Sequence, residues 1–320
     1  MKRISSLLLS FYVLLLSLAA CSDKDEIPVQ DTKTTELSVG QTYTVANYAD
    51  FTFLKISTTD KITAAMDDRN YYPVEDKSTT YIDIVLSWNN ISDHSMKVQD
   101  LITAKATNAS GTSYTNSFNV IEIQNATDLS QEATIPSSGT DARVHCAIAV
   151  PRTETVLTLA LRIHDQEFTF SYTLGAVASN ATPIKIGHSI NDPAYASLSF
   201  QGVEHTDTVY PSDTEGLYSC YHIDDPANTY LVVRFDVTNH TDAAKDCDSF
   251  INVTARYADQ NHTGFVVVEN ASKNGFNTKE DITPSILYHF YYLIEVPKDV
   301  TEKPLTLTIF YNGKEYLYNT

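Results

Sequence analysis

The sequence predicts an all-β protein in which one antiparallel β-sandwich is written twice in tandem. Three observations predict it. Apolar residues alternate with period two, turn residues punctuate them at short intervals, and the whole pattern returns about 147 residues later.

The alternation is plainest in two runs. In Tyr81-Ile82-Asp83-Ile84-Val85-Leu86-Ser87-Trp88, the residues Ile82, Ile84, Leu86 and Trp88 fall on one face. In Leu305-Thr306-Leu307-Thr308-Ile309, Leu and Ile alternate with Thr. Such alternation marks a half-buried strand, because successive side chains leave a strand on opposite sides. The abundant Thr, Val, Ile, Tyr and Phe suit a pleated surface. Between the runs stand Asn108 to Gly111, Ser137 to Gly139 and Asn312-Gly313, residues that tolerate turn conformations. Asn312-Gly313, flanked by Ile309 to Tyr311 and Tyr316 to Tyr318, is the strongest hairpin signal. No long run with helical period follows the leader, although Asp60 to Met66 leaves room for a short helical turn.

The repeat aligns in three blocks. SVGQTYTVANYADFTF from Ser38 lies over KIGHSINDPAYASLSF from Lys185 without a gap, which sets Gly40 on Gly187 and Phe53 on Phe200. YIDIVLSWNNISD from Tyr81 lies over YLVVRFDVTNHTD from Tyr230. Val150-Pro151 and Glu167 to Phe170 lie over Val296-Pro297 and Glu315 to Tyr318. The offset stays between 146 and 149 throughout. That is a domain length and far longer than a solenoid repeat. The expected organisation is a signal peptide at 1–20, a tether at 21–34, and sandwiches at 35–175 and 176–320, with Ala176 to Pro183 as a short linker. Each copy offers about seven or eight strands with turns every eight to twelve residues, which fits an antiparallel sandwich. Neither copy carries the Cys–Trp–Cys core of antibody domains. Trp88 is the only Trp, and Phe235 or Val237 stands near its place in the second copy.

The entry around Val39-Gly40, the strands ending in Asn89-Asn90 and Thr238-Asn239, and Val296-Pro297-Lys298-Asp299 followed by Pro304-Leu305-Thr306-Leu307 resemble a family. It is the immunoglobulin-like domain of unknown function found on many bacterial lipoproteins, of which a secreted mycobacterial immunogenic protein is a distant relative. The second copy is the more similar, and the first keeps Val150-Pro151 without the Lys-Asp. The resemblance implies a β-sandwich and brings no activity with it.

The N-terminus gives an address. Lys2-Arg3 precede an apolar stretch from Leu7 to Leu18, too short for a membrane span and typical of a secretory leader. Leu18-Ala19-Ala20-Cys21 resembles a bacterial lipobox, which implies that Cys21 is the lipid attachment residue and the membrane anchor. Several acyl chains on one residue exceed the marginal hold of a single chain. The following polar stretch reads as a disordered tether. Its acidic run, Asp23 to Glu26, resembles the surface-export signal of lipoproteins in the Bacteroidetes. The expected location is the bacterial cell envelope, with display at the cell surface favoured over the periplasmic face or a Gram-positive wall.

The formal charge is −18, and loss of Lys2 and Arg3 with the leader takes it to −20. Such an excess disfavours nucleic acid and anionic membrane surfaces as partners. Asp67-Asp68 and Asp224-Asp225 read as matching acidic loops, but two carboxylates per loop are too few for calcium, which takes six to eight oxygens. Of the four Cys, Cys220 and Cys247 flank the Tyr230 strand. An oxidising compartment permits a disulfide between them, and two buried thiols is the other reading. Cys146 falls on an alternating position, taken by Tyr292 in the second copy, and reads as a buried strand thiol. No CxxC appears, so no zinc or redox site is expected. Eight Asn-x-Ser/Thr triplets read as turn chemistry in a bacterial chain.

Catalysis is not expected. The nine His are scattered, and no HExxH, Gly-x-Ser-x-Gly, phosphate loop or dinucleotide fingerprint occurs. No cluster of Ser, His and acid stands out as breaking the symmetry of the two copies, and no cofactor is implied. Twenty Tyr are the remaining lead: Tyr71-Tyr72 against Tyr218 to Tyr221, and Tyr288, Tyr291 and Tyr292 on one strand. Tyr291 and Tyr292 must point to opposite faces. The leading expectation is a lipid-anchored binding or adhesion module for an unknown protein or glycan. The alternatives are an assembly subunit of the envelope or of a fimbria-like polymer and, last, an enzyme.

Overall fold

In the computed structural model, residues 34–137, 141–257 and 260–320 are described. The leader, Cys21 and the tether as far as residue 33 lie outside them, and the last tether residue, Thr34, opens the first strand. The span Thr35–Thr320 forms one compact unit. Its described residues form strands throughout, and the helices among them are three single 3-10 turns, at Val98–Asp100, Cys247–Ser249 and Lys298–Val300. The room left for a helical turn at Asp60 to Met66 is taken by strand, because Lys61–Thr63 pairs with Tyr71–Pro73.

The main strands of the first half are β1 (Thr34–Glu36), β2 (Thr42–Val45), β3 (Ala49–Thr59), β4 (Lys61–Thr63), β5 (Tyr71–Pro73), β6 (Thr79–Asn90), β7 (Thr103–Asn108), β8 (Ser117–Ile123), β9 (Ala142–Pro151), β10 (Val156–Ile163) and β11 (Gln166–Thr173). Two short connecting strands follow, β12 (Ala178–Ser179) and β13 (Thr182–Pro183). The second half has β14 (Ser189–Asp192), β15 (Ala196–Thr206), β16 (Thr208–Val209), β17 (Tyr221–His222), β18 (Asn228–Asn239), β19 (Ile251–Tyr257), β20 (Gln260–Thr263), β21 (Phe265–Glu269), β22 (Leu287–Pro297), β23 (Leu305–Tyr311) and β24 (Lys314–Asn319).

In the first half, β1-β11-β10-β7 form one sheet and β8-β9-β6-β3-β12 the other. In the second, β13-β24-β23-β19-β20 face β14-β15-β18-β22-β21. Each pair of sheets encloses its own core. Ile82, Ile84, Leu86 and Trp88 all point into the first, and Leu231, Val233, Phe235 and Val237 into the second. A large side chain buried this fully is worth roughly 1.5–3 kcal/mol, and these rows are what replaces the absent Cys–Trp–Cys lock. Cys146 lies in the first core, as its alternation implied.

The copies agree in detail. β3 carries a bulge between Phe53 and Lys55, and β15 carries it between Phe200 and Gly202. Gly40 and Gly187 have φ of +83° and +84°, a region that glycine alone enters without strain. Their N–H groups donate to Phe53 O and Phe200 O, each at 2.7 Å. Trp88 pairs with Phe51, and Val237 pairs with Leu198 at the matching register, so Val237 holds the place of Trp88. The connection is not loose: β12 pairs with Lys55 and Ile56 of the first half, and β13 runs parallel to Tyr316 and Leu317 of the second.

Each sandwich also folds a small hairpin over its outer face, β4–β5 in the first and β16–β17 in the second. A satellite core lies beneath each, around Ile62, Tyr81 and Val120 in one and Val209, Tyr230 and Val267 in the other. Tyr292 points into the main core and Tyr291 into the satellite core, the opposite faces that adjacent strand residues require. The loop correspondence read from the acidic pairs needs correction. Asp76, and not Asp67-Asp68, matches Asp225: Asp76 accepts from the N–H of Ser78 at 2.8 Å and Asp225 from that of Ala227 at 2.9 Å. Asp67-Asp68 belong to the β4–β5 loop, where Asp67 pairs with Arg69 and Asp68 with Lys61.

The bridge left open between Cys220 and Cys247 is not formed. Both thiols are free, Cys220 exposed and Cys247 buried in the second core. Cys247 opens the 3-10 turn Cys247–Ser249 and turns its sulfur inward, where it approaches Thr278 O at 3.9 Å.

Candidate functional site

The outward residues of β6, β8 and β9 do not all meet solvent. Because Ile82, Ile84 and Val144, Cys146 face inward, Asp83, Arg143 and His145 face outward, and Glu122 joins them from β8. The outer face of β19, β23 and β24 closes over part of this surface. The two sandwiches thus bury a charged cluster between them.

His145 stands at its centre. Its Nδ1 lies 3.0 Å and 3.1 Å from the two Asp83 oxygens, and its Nε2 lies 3.0 Å from Glu122 Oε1. Burial opposes a charge there, yet the two carboxylates outweigh it and push His145 up to about 9. Arg143 Nε is 3.1 Å from Glu122, and Arg143 Nη2 donates to Glu315 Oε1 at 2.5 Å across the junction. Its guanidinium also lies over the Phe310 ring, 5.4 Å from the centroid, a favourable cation–π placement. Lys55 completes the set, 3.5 Å from Glu315 Oε2. Burial acts to raise the Glu315 carboxyl, but Lys55 and Arg143 outweigh it and hold it below its ordinary range. With His145 protonated, three cations face three anions, so the buried cluster is neutral.

Both nitrogens of His145 are engaged by carboxylates, so it has none free to accept a proton. The neighbouring Cys146 thiol points into the core, where burial raises it far above the range of a nucleophile. Among the described residues no group of three or more His, Cys, Asp and Glu is placed to hold a metal ion. The cluster instead fixes the angle between the sandwiches, assisted by Asn252 Nδ2, which donates to Ala65 O at 2.7 Å, and by Thr263 Oγ1 at 3.2 Å from Asp68.

Between the two faces lies a cleft of about 870 Å³, and the cluster residues Lys55, Asp83, Glu122, Arg143, His145 and Glu315 form part of its lining. Its walls carry hydroxyls and amides, among them Ser57, Thr254, Thr306, Thr308 and Asn319. Thr306 and Thr308 are those that alternate with Leu and Ile in β23, so the pattern that builds the core also hydroxylates the cleft.

Sequence reasoning missed this site. Aligned by strand, Asp83 falls on Val232, His145 on Tyr291 and Arg143 on His289, while Glu122 matches Glu269. The Glu is common because it holds the hairpin loop in both copies: Ala65 N–H donates to Glu122 at 3.0 Å and Ser212 N–H to Glu269 at 2.5 Å. Asp83 and His145 are what break the symmetry, and an Asp within an apolar strand was the visible signal. The predicted residues lie elsewhere. Cys220 and Cys247 are far apart in exposure and take no part, and Cys21 is outside the described residues. Tyr71, Tyr210 and Tyr218 are exposed at the hairpin loops.

The eight Asn-x-Ser/Thr triplets include two with a shared structural role. Buried Asn90 donates from Nδ2 to His94 O at 2.8 Å and Ile135 O at 3.2 Å, and its Oδ1 accepts from Ser92 N–H and Oγ. Asn239 does the same with Ala243 O, Ile282 O and Thr241.

No family model and no curated protein matches this chain. Among solved structures, an uncharacterized β-sandwich protein from Clostridium difficile is 20% identical, with a TM-score of 0.42 over 45% of this chain and 96% of its own. A marsupial T cell receptor is 9% identical, with a TM-score of 0.22 over 75% of this chain and 92% of its own. At this similarity the all-β, immunoglobulin-like fold rests on the strands and registers described above.

Proposed function

We propose that the protein is a non-catalytic binding module of the bacterial cell envelope, anchored by lipid on Cys21 and displayed at the cell surface. The observation that carries this reading is the cleft between the sandwiches. Binding sites favour such junctions. Here the walls offer hydroxyl and amide groups, and the charged cluster that shares the lining is paired within itself. That lining suits a polar ligand of low charge, a glycan or an extended protein segment. The buried charge cluster serves the site by holding its walls at a set separation. The resemblance to lipoprotein-borne immunoglobulin-like domains and the lipobox-like Leu18 to Cys21 support the location.

The test is capture by residues 22–320 on glycan arrays and envelope-protein preparations, beside a Thr308→Trp variant that fills the cleft. Capture that the variant loses supports the reading. Capture of neither class, or capture indifferent to the variant, removes it.

A further inference from the structure

The first sandwich meets the second through a defined pair of surfaces. One is the outer face of β3, β6 and β9 with the β4–β5 loop; the other is the outer face of β19, β23 and β24. Both sandwiches own both surfaces. Among the described residues no other sandwich covers the hairpin-bearing face of the second or the β7, β10 and β11 face of the first.

Strand alignment identifies the unused groups. On the first sandwich Glu167 stands where Glu315 stands on the second, and Thr103 where Asn252 stands. In the used surface Asn252, Thr254 and Thr308 are half-buried and Phe310 is buried. In the unused one Thr103, Lys105 and Arg162 are exposed. On the hairpin face of the second sandwich, His289 replaces Arg143. Lys55 becomes Gly202, but the Arg234 guanidinium lies over that glycine, its Nη2 3.5 Å from where a Cβ would be. A cation therefore occupies the same place. Arg234 and His289 are 42% and 41% exposed, against 13% for Arg143, and their partners within the chain are Glu204 at 3.2 Å and Asp236 at 2.7 Å. The carbonyl-bearing loop is also reproduced, since Ser212 N–H is held by Glu269 as Ala65 N–H is held by Glu122. This loop spans Tyr210 to Tyr221 and is two residues longer than Thr63 to Tyr72. The longer loop presents Leu217 at 92% exposure beside Tyr210 and Tyr218, whose rings pack 6.0 Å apart. It is not a loose excursion, because Ser219 N–H donates to Asn274 O and Asn274 Nδ2 to Leu217 O.

We infer that the chain associates head to tail with further copies of itself. The hairpin face of the second sandwich, carrying Arg234, His289 and Leu217, docks on the β7, β10 and β11 face of the next copy, where Glu167 takes the part that Glu315 plays within one chain. The contact is heterologous, so each added copy leaves both surfaces free at the ends, and the assembly grows beyond a dimer. Charge complementarity at Arg234 and Glu167 sets the register, and the exposed Tyr–Leu–Tyr loop supplies apolar area to bury.

The experiment is sedimentation velocity of residues 22–320 over a wide concentration range at low and high salt. The expected result is a mass that rises past the dimer with concentration and falls with salt. Glu167→Arg and Arg234→Glu, each on an exposed or half-exposed strand position, weaken association about tenfold or more when measured alone. Mixing the two variants restores it, because each altered surface then meets a complementary one. A misfolded chain cannot give that rescue. A monomer at all concentrations, a closed dimer only, or an association that neither charge reversal weakens overturns the inference.

Discussion

Arg143 of the first sandwich donates to Glu315 of the second at 2.5 Å, and the two side chains are 13% and 8% exposed. The relationship spans 172 residues and joins the antiparallel sheet of one sandwich to the last hairpin of the other. A pair buried this well is costly to break from one side, because the remaining charge keeps its desolvation cost without its partner. Replacing Arg143 by Ala should destabilise the chain by about 3–5 kcal/mol. Glu315→Gln should do so by less, since the amide still accepts a hydrogen bond. The accompanying signature is scattering: the radius of gyration should rise in Arg143→Ala as the sandwiches part. Equal compactness and stability in both variants would show that the pair does not hold the junction.

The charge cluster makes stability depend on pH in two windows. His145 binds its proton more tightly folded than unfolded, so its contribution is complete below 6.5 and is lost as pH rises through about 9. Glu315 is depressed below 4.5, so its contribution is present above that value and is lost as pH falls through the folded value. Thermal melts should therefore fall off toward both acid and alkali. In His145→Gln the alkaline decline between pH 7 and 10 should flatten. A slope unchanged in that variant would contradict the role given to His145.

The cysteines make a chemical prediction. Cys220 is exposed, whereas burial pushes the Cys247 thiol up to about 11 and raises that of Cys146 further. A maleimide should label the folded residues 22–320 once, at Cys220, and three times only after denaturation. Failure to label the folded protein, with a mass lower by two hydrogens, would instead show a disulfide.

Asn90 and Asn239 close the ends of equivalent strands through buried amides. Substituting either by Ala takes the donor from one buried carbonyl, Ile135 O or Ile282 O, at about 1–3 kcal/mol, and from part-buried carbonyls beside it. The two losses should add within a few tenths of a kcal/mol, since the residues lie in separate cores. Denaturant melts of the single and double variants measure this. Full glycan occupancy of either site in a eukaryotic host would also be incompatible with the buried amides.

Some of this was legible in the chain alone. Period-two alternation is a local property, so Ile82 to Trp88 and Leu305 to Ile309 announced their inner faces without tertiary information. The duplication was legible because corresponding turns need the same residues: Gly40 and Gly187 for positive φ, Asn90 and Asn239 for the strand ends. The acidic pair at Asp67-Asp68 misled because loop residues carry weaker constraints than strands, and only the hydrogen bonds of Asp76 and Asp225 set the true match. Cys220 and Cys247 looked bridgeable because spacing along the chain says nothing about burial: Cys220 lies exposed in a loop, and Cys247 is buried in a 3-10 turn.

The sequence by itself determined the sandwich and its repetition, since both follow from the polarity of near neighbours and from turn chemistry. Only the tertiary structure decided how one sandwich sits on the other. Asp83, Glu122, Arg143 and His145 come from three strands and meet Glu315 from the far end of the chain. Each looks like an ordinary outward strand residue until the second sheet face removes the water from around it. Desolvation then makes their pairing strong, and it depends on distances in space that no period along the chain encodes.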